Sequence, residues 1–115
     1  MAVKRREVRT IVILSPQGRF FGDHETDDLE NAMMSEAGKG NKMLILNLGE
    51  CEALNSVAIG VLMRAYANYK SRGGEIKLCS LGKRLKDLFT MTKLIMVFDH
   101  HDSEEQAIAA FVPGA

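Results

Sequence analysis

Leu44-Ile45-Leu46-Asn47-Leu48-Gly49-Glu50-Cys51-Glu52-Ala53-Leu54-Asn55-Ser56-Val57-Ala58-Ile59-Gly60-Val61-Leu62 runs from an apolar strand through a short polar loop into a helix that opens at a hydroxyl residue. Met43 to Leu48 is almost continuously apolar between Asn41-Lys42 and Gly49-Glu50, the pattern of a strand covered on both faces. From about Val57 to Arg72, Ala58, Val61, Leu62, Ala65 and Tyr69 share one helical stripe, with Ile59 and Tyr66 beside it. Gly73-Gly74 supplies a left-handed stop. The start of that helix is the place to look for function, because a helix N-terminus presents unpaired N–H groups and a positive dipole end. Ser56, or Asn55 beside it, serves there as an N-cap, or Ser56 carries a phosphate that the same groups help to hold. Spacing alone leaves both readings open.

Outward from this centre, Val8 to Leu14 reads as a strand, with Pro16-Gln17-Gly18 turning the chain and Arg19-Phe20-Phe21 pairing back as a short antiparallel edge. Asp23 to Ala37 reads as a helix with Leu29, Ala32 and Met33 on one face, closed by Gly38-Lys39-Gly40. Glu75 to Ser80 is a strand, Leu81 to Met91 a basic helix and Ile95 to Phe98 another short strand. A last helix runs to Phe111, with Asp102 and Glu105 spaced as a capping box. Strand–helix alternation predicts an α/β fold: one domain over 1–115, with a mixed, mostly parallel five-stranded sheet and about four helices. Residues 1–7, with Lys4-Arg5-Arg6, read as a flexible, solvated lead-in.

The composition narrows the function by exclusion. Fifteen basic and fifteen acidic residues cancel, so no net field draws the chain to nucleic acid. No apolar run approaches the roughly 20 residues of a membrane span, and the start lacks the apolar stretch of a signal peptide. Cys51 and Cys79 have no metal or redox spacing and read as reduced thiols of a cytoplasmic protein. No glycine pattern for a nucleotide is present, and no nucleophile–base pair stands out, so neither a cofactor nor catalysis is expected. Asp99-His100-His101-Asp102 is the one cluster that suggests a metal-dependent phosphoesterase. Only His24, beside Asp23, remains to complete such a site, and a polar loop ending a strand is the plainer reading. Lys83-Arg84-Leu85-Lys86-Asp87 reads as a solvated helix face or a partner-facing basic patch. Met33, Met34, Met63, Met91 and Met96 read as core fillers.

The order of elements around the central motif resembles the STAS family, the fold of anti-sigma-factor antagonists and of the cytoplasmic tails of sulfate transporters. Asn47-Leu48-Gly49 lies where that family has an Asp-Leu-Ser strand end. Asn55-Ser56-Val57-Ala58-Ile59-Gly60-Val61-Leu62 lies over its Asp-Ser-Ser/Thr-Gly-Leu-Gly-x-Leu signature, and Gly73-Gly74 over its Gly-Gly turn. Leu85 through Phe98 is similar to its leucine-rich helix, Thr-Gly-Leu-like turn and strand ending in Phe. The resemblance implies a non-enzymatic interaction module of bacterial regulation. Its expected partners are an anti-sigma factor that doubles as a serine kinase, and a cognate phosphatase. It implies phosphorylation at Ser56 and a partner-binding surface at Asp23, Asn55, Ser56, Val57, Ala58 and Ile59. Asn55, Val57 and Ala58 depart from the signature, so a scaffold or constitutive antagonist without phosphorylation is the alternative within the family. Oligomeric state has no sequence signal.

Overall fold

The computed structural model describes residues 2–111; the ends of the expected 1–115 domain lie outside that range. Strand β4 (Met43–Asn47) lies in the middle of the main sheet, and Leu44, Ile45 and Leu46 are all inaccessible to solvent. Beside it run β2 (Ile11–Pro16) and β6 (Glu75–Cys79), both parallel to it. β1 (Val3–Val8) pairs antiparallel with β2 at one edge, and β7 (Asp99–His101) pairs parallel with β6 at the other. The order is β1-β2-β4-β6-β7.

Each crossover from β2 onward steps to the neighbouring position, so right-handed connections place three helices on one face. These are α1 (His24–Gly38), α2 (Ser56–Ser71) and α3 (Lys83–Met91). Leu44 and Leu46 meet Leu29, Met33, Ala58, Leu62 and Ala65 in the core on that side. Ile11, Ile13, Ile45 and Cys79 point to the opposite face, where α4 (Glu104–Phe111) covers them with Ala107 and, less deeply, Ile108 and Phe111. A separate two-stranded parallel sheet joins β3 (Gly18–Phe20) to β5 (Cys51–Leu54).

Six expectations are corrected by this architecture. Residues 3–8 form a paired strand, because Arg5 Nε donates to the buried Glu36 carboxylate at 2.7 Å and Val3 enters the core. Their charged residues suit a free sheet edge, which resists pairing with other chains. The strand read as Val8 to Leu14 is interrupted by the two-residue turn Arg9-Thr10, where Arg9 has φ 58°. Residues 18–20 pair in parallel with 51–54, not antiparallel with the first strand. Ile95 to Phe98 is no strand: Lys93 at φ 63° reverses the chain into a 3₁₀ turn, Leu94–Met96. Phe98 then stacks edge-on against Tyr66, ring centres 4.8 Å apart. The cap of α4 lies one residue on from Asp102, since Ser103 Oγ accepts from Gln106 N at 3.2 Å. Finally, Met33 is buried and Met34 packs on the core, but Met63, Met91 and Met96 are exposed.

Candidate functional site

The entry to α2 is built from Asn55 outward. Its backbone is extended, and its side-chain oxygen accepts from Ala58 N at 3.1 Å while its carbonyl accepts from Ile59 N at 2.9 Å. Asn55 is therefore the N-cap, which resolves which of the two residues caps the helix. Ser56 is the first helical residue and is exposed, and no group among the described residues bonds its hydroxyl. The first turn of α2 carries no acidic side chain, so its positive dipole end is unneutralised from within the helix.

The neighbourhood of Ser56 exposes apolar side chains. Val57 is 53% exposed and packs against Gly22, where an added β-carbon would lie 3.1 Å from Val57 Cβ. Gly22 also has φ 88°, so the close approach and the backbone both call for glycine. Its N–H donates to the buried Thr26 hydroxyl at 2.8 Å, which fixes the entry to α1. Phe21 is 49% exposed beside it. Asp23 occupies the N-cap position of α1 but makes no side-chain cap bond. The structure thus brings Asp23, Asn55, Ser56 and Val57 to one end of the molecule, with Ile59 half-buried behind them. Ala58 differs, because its side chain faces the core and offers a partner no surface.

Phe21 and Gly22 were not singled out from the sequence. The signal was there: two adjacent aromatics, Phe20-Phe21, cannot both point inward from an extended segment. Phe20 is fully buried and Phe21 is turned out. The β3–β5 sheet holds both loops, and Asn55 N donates to Phe20 O at 3.1 Å to join them directly.

Asn47 has a structural reason to be an amide. Its oxygen accepts from Gly49 N at 3.0 Å and its Nδ2 donates to Glu104 at 2.9 Å. An aspartate there would set two carboxylates together. Arg6 closes on the same Glu104. Burial pushes the Glu104 carboxyl up, yet bonds from Arg6 and Asn47 outweigh it and leave it below the usual range. A cleft of about 700 Å³ opens on this face, lined by Lys4, Arg6, Ser15, Asn47 and Glu50 among others, away from Ser56.

Asp99, His101, Cys51 and Cys79 are paired or buried, whereas His100 is exposed. Asp99-His100-His101 is the edge strand β7, so its neighbouring side chains alternate between faces. The Lys77 ammonium binds the Asp99 carboxylate and holds it below the usual range. Among the described residues, no three His, Cys, Asp or Glu side chains converge as a metal site would require. Burial pushes the Cys51 thiol up to about 11 and raises that of Cys79, so both stay protonated at neutral pH. Among the described residues, no helix is long and apolar enough to cross a membrane.

The chain is similar to known proteins over nearly its whole length. The STAS domain profile matches residues 2–107. The anti-sigma F factor antagonist of Paenibacillus polymyxa is 24% identical over 110 residues, covering 94% of this chain and 92% of that one. An anti-sigma factor antagonist from Mycobacterium paratuberculosis superposes with a TM-score of 0.82 at 20% identity, over 94% of this chain and 91% of the other. Bacillus SpoIIAA, solved in its unphosphorylated form, superposes at 0.76 with 16% identity over 99% and 100% of the two chains. Its phosphorylated form superposes at 0.75.

Proposed function

This chain belongs to the STAS domain family, and from that premise we propose that it is a cytoplasmic anti-sigma-factor antagonist, switched by phosphorylation of Ser56. The observation that carries the reading is the division of labour at the start of α2. Asn55 performs the capping, which leaves the Ser56 hydroxyl exposed and uncommitted. The partner is an anti-sigma factor with serine-kinase activity, docking on Phe21, Asp23, Asn55, Ser56, Val57 and Ile59. A cognate phosphatase resets the switch. Names of relatives support the antagonist role, and the existence of SpoIIAA in two phosphorylation states supports a switch of this kind.

The switch works through charge. A phosphate adds roughly −1.5 to −2 charges and three acceptor oxygens at neutral pH. On its own side, the α2 dipole stabilises that charge by roughly 0.3–1 kcal/mol at an exposed position. On the partner's side, a surface that buries a neutral hydroxyl and the apolar Val57 must instead desolvate a dianion. Release therefore needs no refolding of the domain, and the chain itself performs no catalysis. The constitutive alternative draws on one observation: Asn55 supplies no negative charge next to Ser56, where the family signature has an acid.

The test pairs modification with binding. Purified chain incubated with ATP and extract of its own cells should gain a single phosphate, mapped by mass spectrometry to Ser56. Bait carrying Ser56→Ala should still capture the anti-sigma factor, whereas Ser56→Asp should not. If no kinase modifies Ser56 even in an Asn55→Asp background, and Ser56→Asp binds like the parent, the switch is wrong and the constitutive reading stands.

A further inference from the structure

The end of α3 carries a surface that the proposed switch does not use. Met91 and Met96 are each 82% exposed, and Val97 is 37% exposed beside them. Between the two methionines, Lys93 holds φ 63°, a conformation that glycine adopts freely and lysine does not. An exposed cation thus stands in sequence between exposed apolar residues despite the backbone it requires. Lys83 pairs with Asp87, and Lys86 reaches Asp102 at 4.0 Å. Among the described residues, Lys93 has no carboxylate within that distance.

The complement of this patch lies on the same chain. Phe21 and Val57 are about half exposed, and Asp23, Glu25 and Asp27, at the start of α1 that follows Phe21 in the chain, are exposed with no cation within 4.0 Å among the described residues. The whole chain carries no net formal charge, so no overall repulsion opposes contact between copies. One molecule cannot close the two patches on each other. Val57 and Tyr66 are nine residues apart on α2, about 14 Å along its axis. Tyr66 in turn packs on Phe98, two residues beyond Met96.

We propose that the Met91–Val97 patch of one copy docks on the Phe21–Val57 patch of a second copy, head to tail. The occupant is a second copy because exposed apolar side chains followed by uncommitted acids are what the methionine surface with its free Lys93 needs, and this chain displays them. Methionine adapts to the shape of what it covers, which suits a patch that must fit an aromatic and a valine. Two different surfaces meet, so the contact is heterologous and adds copies in rows or rings instead of stopping at a symmetric pair. A copy seated on the head covers Ser56, so self-association and partner docking exclude each other. The contact requires only this chain, and its test is independent of the antagonist reading.

Sedimentation velocity on the purified chain at low salt, from micromolar to near-millimolar concentration, should show the average mass rising past that of a dimer. Salt at about 0.5 M should weaken association several-fold, since exposed charges are then screened. A tail variant (Met91→Glu with Met96→Glu) and a head variant (Phe21→Ser with Asp27→Lys) should each associate at least tenfold more weakly. All four positions are exposed or lie in the first turn of a helix, and melting curves verify that both variants fold. An equal mixture of the two should form a heterodimer and nothing larger, because each supplies the one surface that the other lacks. A parent chain that stays monomeric overturns the proposal. So does a tail variant that associates normally, a mixture that stays monomeric, or a monomer whose methionine patch instead binds phosphatidylglycerol vesicles.

Discussion

Replacing Asn55 and Ser56 separately by alanine tests whether capping and switching reside in different residues. Asn55→Ala removes the acceptor that holds Ala58 N at 3.1 Å, and loss of such a cap costs about 1 kcal/mol, within a range of roughly 0.5–2. With an unfolding entropy of about 2.1 cal/mol/K per residue, a chain of this length loses about 4 °C in Tm for each kcal/mol. Asn55→Ala should therefore melt roughly 2–8 °C below the parent in a calorimetric scan. Ser56→Ala removes a hydroxyl without a protein partner and should stay within about 1 °C. Ser56→Asp sets a carboxylate in the first turn and should melt at or slightly above the parent, by an amount corresponding to roughly 0.3–1 kcal/mol. Asn55→Asp keeps a good cap and should also stay close. If Ser56→Ala falls as far as Asn55→Ala, Ser56 is part of the cap. An uncommitted hydroxyl would then no longer support the switch.

Leu46→Asp should yield no folded protein, because it puts an unpaired charge in the middle strand with both faces covered; Leu46→Ala should cost roughly 2–5 kcal/mol. A soluble Leu46→Asp variant with a cooperative melt would count against the strand's placement. At Gly74 a β-carbon would lie 2.9 Å from the Lys42 carbonyl and 3.1 Å from its Cα, and backbone cannot yield as a side-chain tip does. Gly74→Ala should thus lose roughly 1–3 kcal/mol in denaturant titration, and an unchanged midpoint would refute the clash. Hydrogen bonds from Arg5 and from Lys77 hold Glu36 and Asp99 below the usual carboxylate range. Groups depressed in the folded state contribute stability that is fully present above their unfolded values, about 4, and is lost as pH falls through the folded ones. Tm should accordingly drop as pH goes below about 4.5. Glu36→Gln, which cannot titrate, should flatten that drop; an identical slope would show that Glu36 takes no part in it.

What could be read from the chain follows from how completely each segment is buried. Met43 to Leu48 and the Ala58–Tyr69 stripe are in the core on nearly every residue that suggested it, so pattern and structure coincide. Edge elements carry no such pattern. Lys4-Arg5-Arg6-Glu7 looks like a solvated tail because a free edge strand keeps its charges in water, and its anchor, Glu36, lies 31 residues away from Arg5. Cys51–Leu54 is four residues long and pairs with only three others, too short for alternation to show. Ile95 to Phe98 has strand composition, yet Lys93 turns the chain so that Leu94 and Phe98 plug the side of α2 and α3 instead. At the candidate site the motif located Ser56 and Asn55. Which of them caps depended on a backbone offset of one residue, and spacing does not resolve that.

The small sheet of β3 and β5 has a mechanical consequence. Gly18 N donates to Glu50 O at its start and Asn55 N to Phe20 O at its end, so the loop bearing Phe21 and the loop bearing Ser56 leave one common brace. Neither loop can swing alone without opening these bonds. The amide protons of Gly18 and Asn55, at opposite ends of the brace, should exchange with solvent as one cooperative unit. A protein seated only on Ser56 should then slow exchange at Gly18 as well. Grip on one loop is felt by both.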